Sequence, residues 1–473
     1  MTRTVAIIGA GMGGLAAALR LAQRGFRVSV FEAGSGAGGL ASSLDIDGFS
    51  FDAGPYILLD RDGLDWAFEQ LGLDLSASIT LRRIEHVYQV QVEDGPCVRI
   101  LADLDRTAEG FEKLWPGSGA RYRNFVHATA RIHQRLRSLL YVSPPAPGAV
   151  LRSGAWMHLG FLLRSLESVL RRARLPQPVV EGLAIWTHVA GQSLDQAPSP
   201  LAFVPALIHT TGAFYPVEGI GAIPGALEQA AREAGVEFHY GVRVKAIKCT
   251  DGRAHGIETA QGDYVAADAI LSNYSGVGTY LDLVEVHQAI RDRLLRLPLQ
   301  SPGVCAYLAV RNPSEDMYLR FLLPGGGDTC RLLVTPSVVT PHSRRDGWWP
   351  ARLIAPMPYP LAERGAEAQR EFLERVLAEN WWREHAGVHK LLATRTPAEW
   401  SLKHNLYRES MNPVMTSAFM RAGRIAHRSP WVKGLYLAGS STHPGQWVSF
   451  CAISGILAAR KICEDFAGPS ARL

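Results

Sequence analysis

The chain has 473 residues, of which 47% are apolar and 20% charged, with a formal net charge of +5. That is an ordinary balance for a globular protein with ample core and about two to three domains. Six cysteines, at 97, 249, 305, 330, 451 and 463, include no C-x-x-C pair. Neither a disulfide framework nor a metal site is expected, and a reducing cytoplasm fits. No apolar run reaches roughly 18 residues, so no spanning helix is predicted, and strand residues begin almost at once, leaving no room for a signal peptide.

The first element is the apolar run VAII at 5–8. GAGMGG follows, placing Gly9, Gly11 and Gly14 in G-x-G-x-x-G spacing with Gly13 between them. An Ala/Leu-rich helical stretch runs to Arg24, and FRVSVFE at 26–32 reads as a second strand closing on Glu32. Strand, turn, helix and strand is the setting in which this fingerprint marks a dinucleotide site. Gly9 permits the tight turn, Gly11 lets backbone approach a pyrophosphate, and Gly14 lets the helix pack on the strand. The helix N-terminus then offers unpaired N–H groups to the phosphates, and Glu32 can accept hydrogen bonds from an adenosine ribose. Directly afterwards come GSGAGG, with Gly38 and Gly39, and GFSFDAGP at 48–55. A nicotinamide-type domain would run on into further helix and strand. A glycine doublet instead suggests a second loop crossing the diphosphate and ribityl chain, so the expected cofactor is flavin adenine dinucleotide (FAD).

Residues 116–212 read as mostly helical, broken by SPPAPG at 143–148 and LPQP at 175–178. From Gly212 an α/β texture returns: a helix at 225–235, a strand pair at 236–249, and a hairpin with a short buried strand at 251–273. The runs VCAYLAV, YLRFLLP, CRLLVTP and ARLIAPM over 300–357 predict an antiparallel sheet, and a helix is predicted at 362–382. A strand GLYLAGS (434–440), a loop STHPGQW and a helix from about Val448 to Asp465 follow. The expected fold is therefore α/β. A discontinuous Rossmann-type FAD-binding domain (1–115, 213–285 and 400–473) carries an inserted α+β substrate domain. The insert comprises a helical, basic, membrane-facing segment (116–212) and an antiparallel sheet (286–399).

The closing strand, polar Gly/Pro loop and helix would aim a helix N-terminus and several N–H groups at an electron-rich group. The pyrimidine edge of a flavin needs such donors, because negative charge gathers at N1/O2 on reduction. GFSFDAGP, GAFYPVEG (212–219), the hairpin ending in ADAILSN, TPAEW (396–400) and GLYLAGSSTHPG stand in an order that resembles the carotenoid (phytoene-type) desaturase family. Those are flavoproteins of the wider amine-oxidase/GDI superfamily. The resemblance spans the whole chain and is densest in 4–56 and 430–459. It implies non-covalent FAD, an elongated apolar tunnel, and hydride abstraction from a polyene or isoprenoid by flavin N5, with a quinone or oxygen as electron acceptor. Carried over by position, Gly9, Gly11, Gly13, Gly14, Glu32, Ala33, Gly38, Gly39 and Leu40 would hold the ADP half, with Gly54, Pro55 and Asn273 nearby. Val244 would meet the adenine through its backbone. Gly439, Ser440, Gly445, Gln446, Trp447 and Val448 would surround the ribityl and isoalloxazine parts. Three departures stand out: Leu40 replaces the usual basic residue, Gln446–Phe450 is bulkier than the family pattern, and Glu218 stands where glycine is common.

Two residues are candidates for catalysis. His443 could act as a base beside the flavin, or anchor its loop by hydrogen bonds to backbone. Glu218 could act as an acid/base if it faces a dry cavity, or lie solvated in a loop. Asp52 is expected to pin a loop. A cation left by hydride loss from an allylic carbon is stabilised by conjugation, so a dedicated base is not required. Phe214, Tyr215, Trp447 and Phe450 could line the tunnel or simply pack the core. Relatives in the same superfamily saturate double bonds, oxidise amines or, in the GDI branch, bind prenylated partners without catalysis. The intact fingerprint, Glu32 and THPG loop favour an enzyme.

Charge is uneven. Between Arg121 and Arg174 ten arginines face a single acid, Glu167. In 156–172 Trp156, Leu159, Leu162, Leu163, Leu166, Val169 and Leu170 fall on one helical stripe. Such a helix could lie on an anionic bilayer surface or turn its stripe into the core. No nucleic-acid motif accompanies the charge. The expected location is cytoplasmic, peripheral on the inner face of the membrane.

Overall fold

Five parallel strands form the central sheet, in spatial order Leu435–Leu437, Ala269–Ser272, Thr4–Ile8, Arg27–Glu32 and Glu237–Tyr240. In this computed structural model, residues 2–92, 95–143, 147–152, 154–311, 313, 316–325, 327–340 and 343–467 are described. Residues 144–146 of the SPPAPG break lie outside them. The strand Thr4–Ile8 is apolar on both faces because both are covered. Val5 and Ile7 pack with the helices over 12–22 and 448–466, and Ala6 and Ile8 pack with Ile247, Ala254 and Ile257 of a small antiparallel sheet. Chain order reverses beside this strand, which opens a crevice at the carboxyl ends of its neighbours. The predicted helices over 11–24 and 448–465 form as Met12–Ala22 and Val448–Phe466. They cross tightly: a Cβ on Gly455 would lie 2.1 Å from the Gly13 carbonyl oxygen.

The second sheet has seven strands, ordered His389–Arg395, Val304–Val310, Trp349–Ala355, Arg331–Val334, Leu319–Leu323, His86–Val92 and Cys97–Leu101. Each of the four apolar runs predicted over 300–357 supplies a strand. Residues 86–101 depart from the expected division of the chain. Read as part of the nucleotide domain, they instead extend this sheet, His86–Val92 pairing in parallel with Leu319–Leu323. The pair 236–249 also divides. Glu237–Tyr240 closes the parallel sheet, while Val244–Thr250 pairs with Arg253–Thr259 in a three-stranded sheet.

Two helical expectations are corrected. The single helix at 362–382 is three pieces, Tyr359–Ala362, Ala366–Ala378 and Asn380–Ala386. Glu379 leaves the helical conformation (φ −66°, ψ 139°), and its carboxylate accepts from buried Arg331 at 2.9 Å. The stripe at 156–172 is broken likewise into Ala155–His158, Leu159–Leu162 and Leu166–Ala173. Ser165 caps the last piece, accepting from the Ser168 N–H, so the helical phase restarts there. Leu166 and Leu170 are consequently buried, while Trp156 (54%), Leu159 (47%) and Leu163 (59%) face solvent. No helix among the described residues is long and apolar enough to cross a membrane.

Candidate cofactor and substrate site

At the carboxyl edge of the parallel sheet the glycine loops interlock. Gly9 adopts φ +93°, and its N–H donates to the Phe31 carbonyl at 2.8 Å. A Cβ on Gly14 would stand 2.1 Å from the Gly9 carbonyl oxygen, so helix and strand meet there as the spacing predicts. The Gly38 N–H donates to the Ala10 carbonyl at 2.8 Å, tying the second loop to the first. Glu32 completes the tie: its carboxylate accepts from the N–H groups of Ala10 (2.8 Å) and Gly34 (2.7 Å).

Asn273, at the end of a neighbouring strand, gives Gly11 and Gly13 a second reason to be glycine. Its side-chain amide would meet a Cβ on Gly11 at 2.7 Å, on Gly13 at 2.5 Å and on Gly439 at 2.7 Å. The Asn273 Oδ1 is buried without a hydrogen-bond partner. The Gly439 N–H donates to Ser454 Oγ at 2.9 Å, an atom that Thr442 and His427 also reach. Neither the helix Met12–Ala22, preceded by Gly11, nor the helix Val448–Phe466, preceded by Trp447, has a side-chain cap. Both therefore present free N–H groups.

These parts line one cavity of about 1040 Å³. Its glycine-rich arm carries Gly9, Gly11, Gly13, Glu32, Ala33, Gly38, Gly39, Leu40, Gly54, Pro55, Val244 and Asn273, together with Gly439, Ser440, Gln446, Trp447 and Val448. Gly14 and Gly445 lie outside the lining. Gly14 works through packing, and a Cβ on Gly445 would strike Arg424 Nη1 at 2.7 Å. Sequence reading missed the apolar arm of Trp186, Val189, Leu201, Val204, Cys330 and Leu332. It also missed the polar wall of Gln300, Ser301 and Asn412, where Asn412 Nδ2 donates to Gln446 Oε1 at 3.1 Å. The bulky Gln446–Trp447 could have pointed to that wall, since a large polar side chain in a cofactor loop needs a partner.

Both candidate catalytic side chains lie away from the cavity. Glu218 is exposed at a turn and does not line it. His443 is an anchor: its Nε2 lies 2.9 Å from the Leu139 carbonyl oxygen, and burial lowers its pKa to about 4. Of the four proposed tunnel aromatics, Trp447 alone lines the cavity. Phe450 stacks on it at 4.9 Å, and Phe214 is buried elsewhere under Arg61. Tyr215 is turned away because its hydroxyl donates to Asp52 at 2.7 Å. Asp52 does pin a loop. It also accepts from the Ile220 N–H at 2.8 Å and faces Arg352, whose Nη1 donates to the carbonyls of Asp52 (2.7 Å) and Gly54 (3.2 Å). No group of three or more metal-ligating side chains occurs among the described residues.

Two uncapped helix N-termini and an interlocked glycine cradle suit a dinucleotide with an anionic diphosphate. Fold and site define a flavin-dependent oxidoreductase. Residues 12–276 match the family of flavin containing amine oxidoreductases, and the chain belongs to that family; its cofactor is FAD. It is 27% identical to a zeta-carotene-forming phytoene desaturase of Myxococcus xanthus, over 97% of this chain and 94% of that one. It is 25% identical to a 4,4'-diapolycopene oxygenase of Methylomonas sp, over 98% of each. A 4,4'-diaponeurosporene oxygenase of Staphylococcus aureus is likewise 25% identical, over 98% of each chain. Among solved structures, an oxidoreductase from Methanosarcina mazei superposes with a TM-score of 0.68 at 18% identity, covering 98% of this chain and 100% of that one. A putrescine oxidase variant gives 0.65 at 14% identity, covering 98% and 99%. These two likenesses concern the fold.

Proposed function

We propose that the protein desaturates a long apolar polyene or isoprenoid, such as a carotenoid precursor. The observation that carries this reading is the single cavity, in which the glycine cradle runs into an apolar arm walled by Trp186, Val189, Leu201, Val204 and Leu332. FAD, when bound, supplies a hydride acceptor at N5. The chain's own residues hold the cofactor at the glycine loops, exclude water from the apolar arm and orient the polyene along it. With Glu218 exposed and His443 anchored outside, neither candidate base faces the substrate. Hydride loss from an allylic carbon leaves a cation that conjugation stabilises, and loss of a proton from the adjacent carbon to water then completes the double bond without a side-chain base. The named activities of the curated relatives support polyene chemistry. Two of those names are oxygenases, which favours oxygenation of a polyene end as the second reading.

A quinone or oxygen would then reoxidise the flavin. We further propose that the basic segment 121–174 touches the inner membrane face. The exposed cluster Leu151, Trp156, Met157, Leu159 and Leu163 supports this, set among the arginines of the segment. Anaerobic titration of the yellow holoprotein tests the reaction. Flavin absorbance should bleach with a partly saturated carotenoid precursor and stay unchanged with a primary amine; the reverse would make the chain an amine oxidase. Product carrying oxygen, formed only in air, would select the oxygenase reading.

A further inference from the structure

Arg395 ends the strand His389–Arg395 and lines the cavity while only 8% exposed. Its surroundings differ from those of Arg331 and Arg352; partly buried Arg424 likewise has no carboxylate partner among the described residues, but it does not line the cavity. Arg331 pairs with Glu379 and Asp328, each at 2.8 Å, and Arg352 faces Asp52 and donates to the loop carbonyls. Among the described residues no carboxylate lies within ion-pair distance of Arg395. Its Nε has no partner, Nη1 reaches the Gly303 carbonyl at a long 3.4 Å, and the guanidinium lies 4.2 Å over the Trp400 ring. Asp45 also lines the cavity, but its carboxylate accepts from the Gly48 N–H. Lys403 and His404 complete the wall. Lys403 has a structural explanation in the last turn of the helix Pro397–His404. Arg395 has none.

A charge held in the interior without a counter-charge is expensive, so an interior guanidinium facing a cavity is explained by an anion that enters with the ligand. Arginine grips a carboxylate or phosphate through the planar fork of its N–H donors. We infer that Arg395 anchors an anionic oxygen group of the cavity's occupant, either a carboxylate at one end of an apolar substrate or a phosphate of the cofactor. The inference rests on reading this cavity as the seat of FAD and a polyene.

The test compares the wild type with Arg395→Met and Arg395→Lys. All-trans-retinoate and retinol are the probes, the same polyene with and without a carboxylate. Binding is followed by quenching of cavity tryptophan fluorescence, and FAD affinity is measured separately. If substrate carries the anion, Arg395→Met weakens retinoate binding by roughly tenfold or more and leaves retinol unchanged. If cofactor carries it, the same variant weakens FAD binding by a similar factor. The lysine variant retains part of the effect in either case. Because the methionine variant removes an unpaired interior charge, its apoprotein should melt no lower than wild-type apoprotein. Unchanged affinity for both retinoate and FAD overturns the anchor. So does a methionine variant that melts well below wild type or fails to fold, which would make Arg395 structural. A wild type that takes up no FAD refutes the cofactor reading instead, while the retinoate comparison still reads the anchor.

Discussion

Replacing Gly455 by alanine tests the link between helix crossing and cofactor site. The added Cβ would lie 2.1 Å from the Gly13 carbonyl oxygen, 2.9 Å from its carbon and 3.0 Å from the Ala17 nitrogen, all backbone atoms that cannot swing aside. Restoring ordinary contact requires the helix Val448–Phe466 to move by on the order of 1 Å, because non-bonded atoms settle near 3.5 Å. Overpacking of this kind costs about 1–3 kcal/mol, a factor of roughly 5–150 in the folded-to-unfolded ratio. The shift also reaches FAD, because Gly13 opens the dinucleotide helix and Gly439, beside Asn273, is tied to Ser454 of the moving helix. Denaturant titration and FAD affinity, read together, should both fall. Gly225→Ala is the control: this residue is exposed in the helix Ala222–Glu233 with nothing within 4 Å of a Cβ. It should be stabilised by about 0.5–1 kcal/mol through helix propensity alone. Wild-type stability together with wild-type FAD affinity in Gly455→Ala would refute the reasoning.

Arg352→Met should destabilise the protein by about 3–5 kcal/mol, because Asp52 is left interior without its cation; an unchanged denaturation midpoint contradicts that. Burial holds His427 near pKa 3, and His209, His404 and His443 near 4, all below the ordinary 6.5. At these four histidines the unfolded chain therefore binds more protons in this window, whereas buried Asp52 and Asp60, raised by burial, act in the opposite sense at its lower end. Stability should rise as pH climbs from about 4 to 6.5 and then level, a trend visible in the denaturation midpoint, and His427→Gln should flatten it. Trp156→Asp with Leu163→Asp should reduce sedimentation with anionic vesicles and leave thermal stability unchanged, as both side chains face solvent. Undiminished sedimentation removes this patch from the membrane reading.

The cofactor half was legible because its determinants are local. Within Thr4–Glu32, strand, turn, helix and strand touch one another, so spacing alone carries the geometry. Asp52 was legible as a pinning residue from its loop setting alone, although its partners Tyr215, Ile220 and Arg352 lie more than 160 residues away. Partners distant in sequence were not. His86–Val92 shows its strand pattern, but nothing in it names Leu319–Leu323, more than 200 residues on, as its neighbour. Phe214 and Tyr215 look like tunnel residues until Arg61 and Asp52, on another segment, claim them. Periodicity across 156–172 continues through Ser165, where the backbone starts a new helix and exchanges buried for exposed faces. Arg395 looks like any strand-end arginine; its isolation is visible only when the surrounding carboxylates are in place.

The central sheet has a consequence for synthesis. Its edge strand Leu435–Leu437 and the loop Gly439–Val448 complete a cradle begun at Gly9. At about 5–20 residues per second, roughly 20–90 s separate translation of the first glycine from that of Val448. Over that interval the nascent chain carries an incomplete nucleotide site, and once Ala269–Ser272 has joined Thr4–Ile8 its outer flank stays uncovered until Leu435–Leu437 arrives. FAD meets its complete cradle only once Val448 has been translated, and until then the earlier segments must hold together on their own packing.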